Sequence, residues 1–319
     1  MNGSCPVCKS RHLRLERELN NCRLLKCLDC DFVFAPAAKD FLHKINVEYK
    51  YNDEFSFIKD LWFDYLIKNQ IGRVVNVRGK VLDIGCGDGR LLRRFVDMGW
   101  DCWGVDISEN AACYAKKYGY RFMNGDFESM EIEADSFDLV VSTSTLEHVY
   151  DPSSFIAKVL TVLKSGGYAF LAGIPNYASI AVRTGTSKFY HNMPPAHVNY
   201  FTPRTLYNLV RRKGAGRVLD FLDIKTYGFP EAFYISDRLK NLKNRLLEKK
   251  KRSRLSKGKN GEKKKRDVLL KSKFQGKGGD KYGKYSKYSM CYRALIYLYF
   301  VSGVFFYAGD KVLLIMRKR

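Results

Sequence analysis

Three carboxylates and a run of glycines carry the most chemistry in this sequence. Val81, Leu82 and Ile84 read as a short buried strand. Gly85, Gly87 and Gly89 follow at every second position, and Leu91, Leu92, Phe95 and Val96 then recur at helical spacing before Gly99. Glycine at such a turn lets a ligand approach the backbone, and the helix N-terminus presents N–H groups to it. A dinucleotide fingerprint wants a small residue at its sixth position. Arg90 stands there, and the pattern G-x-G-x-G is preceded by Asp83, which argues against NAD or FAD. Asp106 ends the next strand, where an ionised carboxylate can accept both hydroxyls of a ribose. Asp126 ends the one after, placed to accept from the exocyclic amine of adenine with Phe127 beside the ring. Each aspartate alone reads equally well as a helix cap or turn residue. Three acids at successive strand ends read as a site.

A second cluster is made of thiols. Cys5 and Cys8 form one C-x-x-C pair and Cys27 and Cys30 another, at the spacing of a zinc ribbon. Two such turns complete a tetrahedral site of four thiolates, and four protein ligands leave no open position, so the expected zinc is structural. Two histidines are candidates for a general base, because imidazole titrates near neutrality. His148 lies just past a strand end and His197 lies on a long loop. The alternative is that His148 braces a strand–helix junction and His197 anchors its loop. His191 is a weaker third candidate.

The elements that must position these groups alternate as strand and helix. Strands are expected at 81–85, 102–107, 121–126, 137–142 and 168–174. Asp151 reads as the N-cap of a helix with Pro152 at its first position, an apolar face of Phe155, Ile156, Val159, Leu160 and Leu163, and Gly166-Gly167 as its end. This alternation predicts an α/β fold with a doubly wound parallel sheet and its ligand at the C-terminal strand edges. Ahead of the glycine turn, Phe55, Ile58, Leu61, Trp62, Tyr65 and Leu66 predict a helix that could lie over the ligand, with Tyr49 and Tyr51 closing on it or simply packing. Residues 175–200 read as an irregular substrate loop. Thr202-Pro203 starts a further helix, 218–227 is a strand, and the apolar run 311–316 returns to the sheet. The expected layout is a ribbon at 1–36, a helical lead-in at 37–76, a core at 77–236, an insertion at 237–290 and the last helix and strand of the core at 291–319.

Charge is concentrated in one place. The chain carries a net charge of +23, and residues 237–288 hold 21 Lys/Arg against 5 Asp/Glu. The excess therefore describes a module and not the whole fold. Tyr282, Tyr285 and Tyr288 interleave with its lysines, a pattern that suits phosphate groups of an anionic membrane surface and does not exclude nucleic acid. The bland alternative is a solvated, mobile insertion. The uncharged stretch 294–309 is 16 residues, shorter than the roughly 18–20 that span a bilayer, and reads as a core helix over an in-plane membrane helix. Unpaired as well as paired thiols, with no apolar leader at the N-terminus, predict a cytoplasmic protein, peripheral to a membrane at most.

Taken with Phe137-Asp138-Leu139-Val140-Val141, Leu146-Glu147-His148-Val149 and Leu163-Lys164-Ser165-Gly166-Gly167, the glycine turn and its acids resemble the class I S-adenosylmethionine-dependent methyltransferases. The motifs run in the family order over 81–227. The resemblance implies a seven-stranded Rossmann-like sheet whose final antiparallel strand is the run 311–316. It implies S-adenosyl-L-methionine as cofactor, with Gly85 and Gly87 passing its methionine part, Asp83 near its amino group, Asp106 on the ribose and Asp126 on the adenine. Leu146 to Val149 and Ala196 to Pro203 further resemble the branch that includes ubiquinone-biosynthesis O-methyltransferases. Relatives acting on glycans or lipid-linked sugars share these signatures, and many carry an N-terminal zinc ribbon. Some relatives place a divalent metal at a Glu-x-x-Glu-His cluster, where this chain has Ser144 at the first position. The basic insertion departs from the family pattern. The expected activity is O-methylation of a small-molecule, glycan or lipid-linked acceptor. The rivals are an RNA or protein methyltransferase recruited by the insertion, and a non-catalytic module that keeps the fold.

Overall fold

The computed structural model describes residues 3–48, 56–76, 78–183, 194–212, 218–227 and 311–319. They belong to one compact unit. The basic stretch 237–290, the uncharged stretch 294–309, Tyr49, Tyr51 and His191 lie outside the described residues.

The chain opens with an antiparallel hairpin, β1 (Leu13–Leu19) and β2 (Cys22–Cys27), followed by β3 (Val33–Phe34) paired to β2. Two helices come next, α1 (Lys39–Val47) and α2 (Ser56–Asn69). The alternating core then runs β4 (Lys80–Ile84), α3 (Arg90–Asp97), β5 (Asp101–Asp106), α4 (Ala112–Tyr118), β6 (Arg121–Asn124), β7 (Phe137–Thr143), α5 (Pro152–Val162) and β8 (Leu163–Pro175). The short α6 (Ile180–Arg183), β9 (Asn199–Tyr200), α7 (Pro203–Arg212), β10 (Leu219–Tyr227) and β11 (Lys311–Lys318) complete it.

The main sheet has seven strands in the order β10-β11-β8-β7-β4-β5-β6. Strands β8, β7, β4, β5 and β6 are mutually parallel, and β11 inserts antiparallel between β8 and β10. Strand β4 is central, with Val81, Leu82 and Ile84 almost fully buried, as a strand covered on both faces requires. The fold class is the one expected, down to the returning strand.

Local signals account for the helix starts. Asp151 Oδ1 accepts from Ser153 N at 2.9 Å and Ser154 N at 3.1 Å, ahead of Pro152 at the first position of α5. Thr202 and Thr205 exchange side-chain-to-backbone bonds of 2.9 and 3.1 Å at the start of α7.

Three expectations change. Helix α5 stops at Val162 and not at Gly166-Gly167, because Leu163 already pairs with Phe137 in the sheet. Gly167 serves β8 instead: a Cβ there would meet the backbone oxygens of Lys164 at 2.9 Å and Asp138 at 3.0 Å. The lead-in divides in two helices, α1 and α2. Trp62 stacks on Tyr227 of β10 at 4.4 Å. Finally, the loop 175–200 ends in a strand that belongs to the ribbon: the second sheet has the order β1-β2-β3-β9. The buried ribbon cysteines Cys5, Cys27 and Cys30, with Phe32 and Phe34, share one apolar core with Leu82, Ile84 and Val105. Among the described residues no helix is long and apolar enough to cross a membrane.

Candidate active site

The glycine turn sits at the C-terminal edge of β4. Gly85 has φ +74°, and a Cβ there would run into the Thr145 hydroxyl, so glycine is required twice over. Its N–H and that of Cys86 donate to Val105 O at 2.8 and 3.1 Å, tying the turn to β5. The Asp106 carboxylate organises both loops: Oδ2 accepts from Gly87 N at 2.8 Å and Oδ1 from Ser108 N at 2.9 Å. An ionised carboxylate accepts about four hydrogen bonds.

Asp83 lies deeper. It is 2% exposed, and its Oδ1 has no hydrogen-bond partner among the described residues. Burial raises its pKa well above the usual carboxylate range, and the nearby Asp106 and Asp88 charges push the same way. An ammonium beside it would relieve both effects. A buried, unpartnered acid next to a glycine turn and a second acid fits the aminoacyl end and ribose of S-adenosylmethionine. Arg90, the residue that breaks the dinucleotide pattern, points away to α2: it pairs with Asp88 at 3.2 Å and with Asp60 at 3.1 Å.

A cleft of about 110 Å³ opens beside the turn, lined by Ile84, Val105, Asp126, Phe127 and His148 and covered by Leu42 of α1. Helix α1 lines this cleft, while α2 approaches the glycine turn through Lys59, 3.7 Å from Asp88 Oδ2. Asp126 Oδ1 accepts from Glu128 N at 3.0 Å, and Lys39 of α1 approaches Oδ2 at 3.8 Å. Phe127 is buried with its ring edge-on to Phe155 at 5.4 Å. Glu128, which sequence reading passed over, has its pKa pushed up to about 7, chiefly by burial, with Asp126 and Asp151 adding to it. Its folded pKa lies above the unfolded one. Its stabilising effect is therefore complete below about pH 4.5 and fades as pH rises through about 7. Glu128→Gln is expected to remove a decline in unfolding free energy of on the order of 2 kcal/mol over that window, read by urea titration at several pH values.

The two histidines come together from opposite sides of the sequence. The 3-10 turn Leu146–His148 follows β7, and His197 precedes β9. The two rings pack edge to face at 4.8 Å. His148 Nδ1 lies 2.9 Å from Ala196 O. A carbonyl only accepts, so Nδ1 carries the proton and Nε2 is the basic nitrogen. Glu147 joins them: one ligand atom from each of Glu147, His148 and His197 lies within 4.8 Å of the others. Its side chain is 1% exposed, its Oε2 has no hydrogen-bond partner among the described residues, and burial raises its pKa. Glu147 stands inside a quoted motif, but its inward direction has no sequence signal. Ser144 does not supply the missing carboxylate of a Glu-x-x-Glu-His cluster. Its hydroxyl approaches Gly173 O at 3.5 Å.

The four ribbon cysteines converge. Cys5 and Cys30 Sγ are 3.6 Å apart, Cys8 and Cys27 Sγ 3.4 Å, and all four lie within 4.8 Å. A disulfide would bring sulfurs to about 2.05 Å. Tetrahedral zinc with bonds of about 2.3 Å gives sulfur edges of about 3.8 Å. The cluster is compatible with a structural zinc.

A family model described as a methyltransferase domain matches residues 57–216, half of the chain. The chain belongs to this family: it is a class I S-adenosylmethionine-dependent methyltransferase. The ubiquinone biosynthesis O-methyltransferase of Coxiella burnetii is 28% identical over 178 residues, covering 52% of this chain and 76% of that protein. The protein of the same name from Thiobacillus denitrificans is 35% identical over 100 residues, covering 29% of this chain and 43% of that one. Among solved structures, a SAM-dependent methyltransferase from Archaeoglobus fulgidus is 15% identical with a TM-score of 0.48, covering 88% of this chain and all of that one.

Proposed function

We propose that the chain transfers a methyl group to a hydroxyl of a small-molecule, glycan or lipid-linked acceptor. The observation that carries this reading is the imidazole of His148. It lines the cleft beside Asp126 and Phe127 with a basic Nε2 and a tautomer held by Ala196 O. A hydroxyl is a poor nucleophile until a base accepts its proton, whereas an unprotonated amine needs none for the displacement itself.

Bound S-adenosylmethionine supplies an electrophilic methyl on a sulfonium. Asp83 would hold its amino group, Asp106 its ribose and Asp126 with Phe127 its adenine. His148 Nε2 would take the proton of the acceptor hydroxyl, whose oxygen receives the methyl that the cofactor supplies. Helix α1 lines the cleft, where it would limit the access of water to the reacting atoms.

The basic stretch 237–288 suits an anionic membrane surface that presents a lipid-linked acceptor, which favours that class over a free metabolite. The same stretch supports a second reading, an RNA acceptor. Incubating the protein with methyl-labelled S-adenosylmethionine and fractionated extract separates them. Label in the lipid or polysaccharide fraction is expected; label in RNA or protein would replace the reading.

A further inference from the structure

The four-cysteine ribbon is joined to the histidine pair by an unbroken series of backbone bonds. Strand β3, three residues past Cys30, pairs antiparallel with β9 through Val33 with Tyr200 and Phe34 with Asn199. Ala35 N donates to Val198 O at 2.9 Å, and Val198 N donates to Glu147 O at 2.9 Å. Val198, the neighbour of His197, is thus held on one side by the ribbon and on the other by the turn that carries His148. The buried Asn199 side chain reinforces this: its Nδ2 donates to Leu146 O at 3.1 Å and Val149 O at 2.6 Å. The other cysteine turn grips the far side of the pair. Lys9 pairs with Asp151 at 3.0 Å, and Ser153 Oγ donates to Val7 O at 3.4 Å, both at the start of α5. Just past β9 the core takes over, with Tyr177 N donating to Phe201 O at 2.7 Å.

We propose that the four-cysteine ribbon is a positioning device for the acceptor side of the site: through the β3–β9 junction it fixes His197 against His148. A junction of two residue pairs has little stability of its own. Strand β3 is also held by β2 and by the buried Phe32 and Phe34, and the thiolate cluster behind it adds to this, since metal-binding free energy there becomes folding free energy. The cofactor turn is tied instead to Val105 and Asp106 of β5. Loss of the ribbon metal should therefore disturb the histidine pair and spare the cofactor. The inference concerns where the pair sits, and rests on the proposed function only for what the pair does.

The test uses the full chain with isotope-labelled histidine. His148→Gln and His197→Gln assign the two ring signals. Zinc is removed by a chelator and then restored, while calorimetry follows S-adenosylhomocysteine. Expected is a shift or broadening of both ring signals on chelation, recovery on adding zinc, and cofactor-product affinity constant within about twofold, as for distant sites. Ala35→Pro supplies a milder perturbation, deleting the N–H that holds Val198 O while leaving all four cysteines. It should retain one zinc per chain, shift the same ring signals and bind S-adenosylhomocysteine normally. Unmoved ring signals in the zinc-free chain would overturn the proposal. If chelation also abolishes product binding, the fold has been lost and Ala35→Pro decides: unmoved ring signals in that zinc-loaded variant overturn it. The ring signals do not depend on turnover, so a wrong acceptor leaves this result standing.

Discussion

Asp106→Ala is expected to weaken S-adenosylmethionine binding by about 100-fold or more, read by calorimetry on the full chain. Hydrogen bonds to a charged group are worth roughly 1.5–3 kcal/mol each, and two ribose hydroxyls would lose theirs. About 3 kcal/mol corresponds to a little over two decades of affinity. The change also removes the acceptor for Gly87 N and Ser108 N, so the glycine turn and the loop after β5 lose their common anchor. Asp106→Asn keeps the shape and one acceptor oxygen but loses the charge. It should fall between wild type and alanine. Unchanged affinity in the alanine variant would remove the ribose assignment and with it the orientation of the whole cofactor.

His148→Ala is expected to lower methyl transfer by about 10²–10⁴-fold, the usual contribution of a positioned general base. Cofactor affinity should stay within about twofold, because the His148 ring is held at Ala196 O while Asp106 accepts from Gly87 N and Ser108 N. His197→Ala should cost less. His197 is 8% exposed and packs behind His148, so its loss acts through the position of the first ring. A fall in transfer with an unchanged pH profile in His148→Ala would show that the ring only braces the strand–helix junction.

Much of this architecture is legible in the residues because it rests on local rules. Glycine at position 85 follows from a positive φ and a crowded Cβ, and Asp151 with Pro152 announces a helix start through capping alone. Acids at successive strand ends can be read because a parallel sheet places its strand ends together. What is illegible is set by contacts between distant segments. The pairing of β3 with β9 joins residues more than 160 positions apart, and a two-residue strand has no periodicity to detect. Glu147 points inward for the same reason: only the approach of His197 from the far loop makes it part of a cluster. The stop of α5 at Val162 is likewise tertiary, since pairing of Leu163 with Phe137 overrides the glycine signal four residues on. Arg90 is read correctly as hostile to a dinucleotide, while its partner, Asp60 of α2, is visible only in the fold.

The central claim, base-assisted transfer from S-adenosylmethionine to a hydroxyl, is tested most directly by the chemistry of the transferred methyl. Extract is incubated with methyl-labelled S-adenosylmethionine and either the wild-type chain or His148→Ala, and the labelled product is isolated. The expected product holds its label through mild alkali, releases it as methyl iodide in hot hydriodic acid, and is formed at least about 100-fold more slowly by the variant. Alkali-labile label would indicate a carboxyl ester, and label undiminished in His148→Ala would contradict the assigned base.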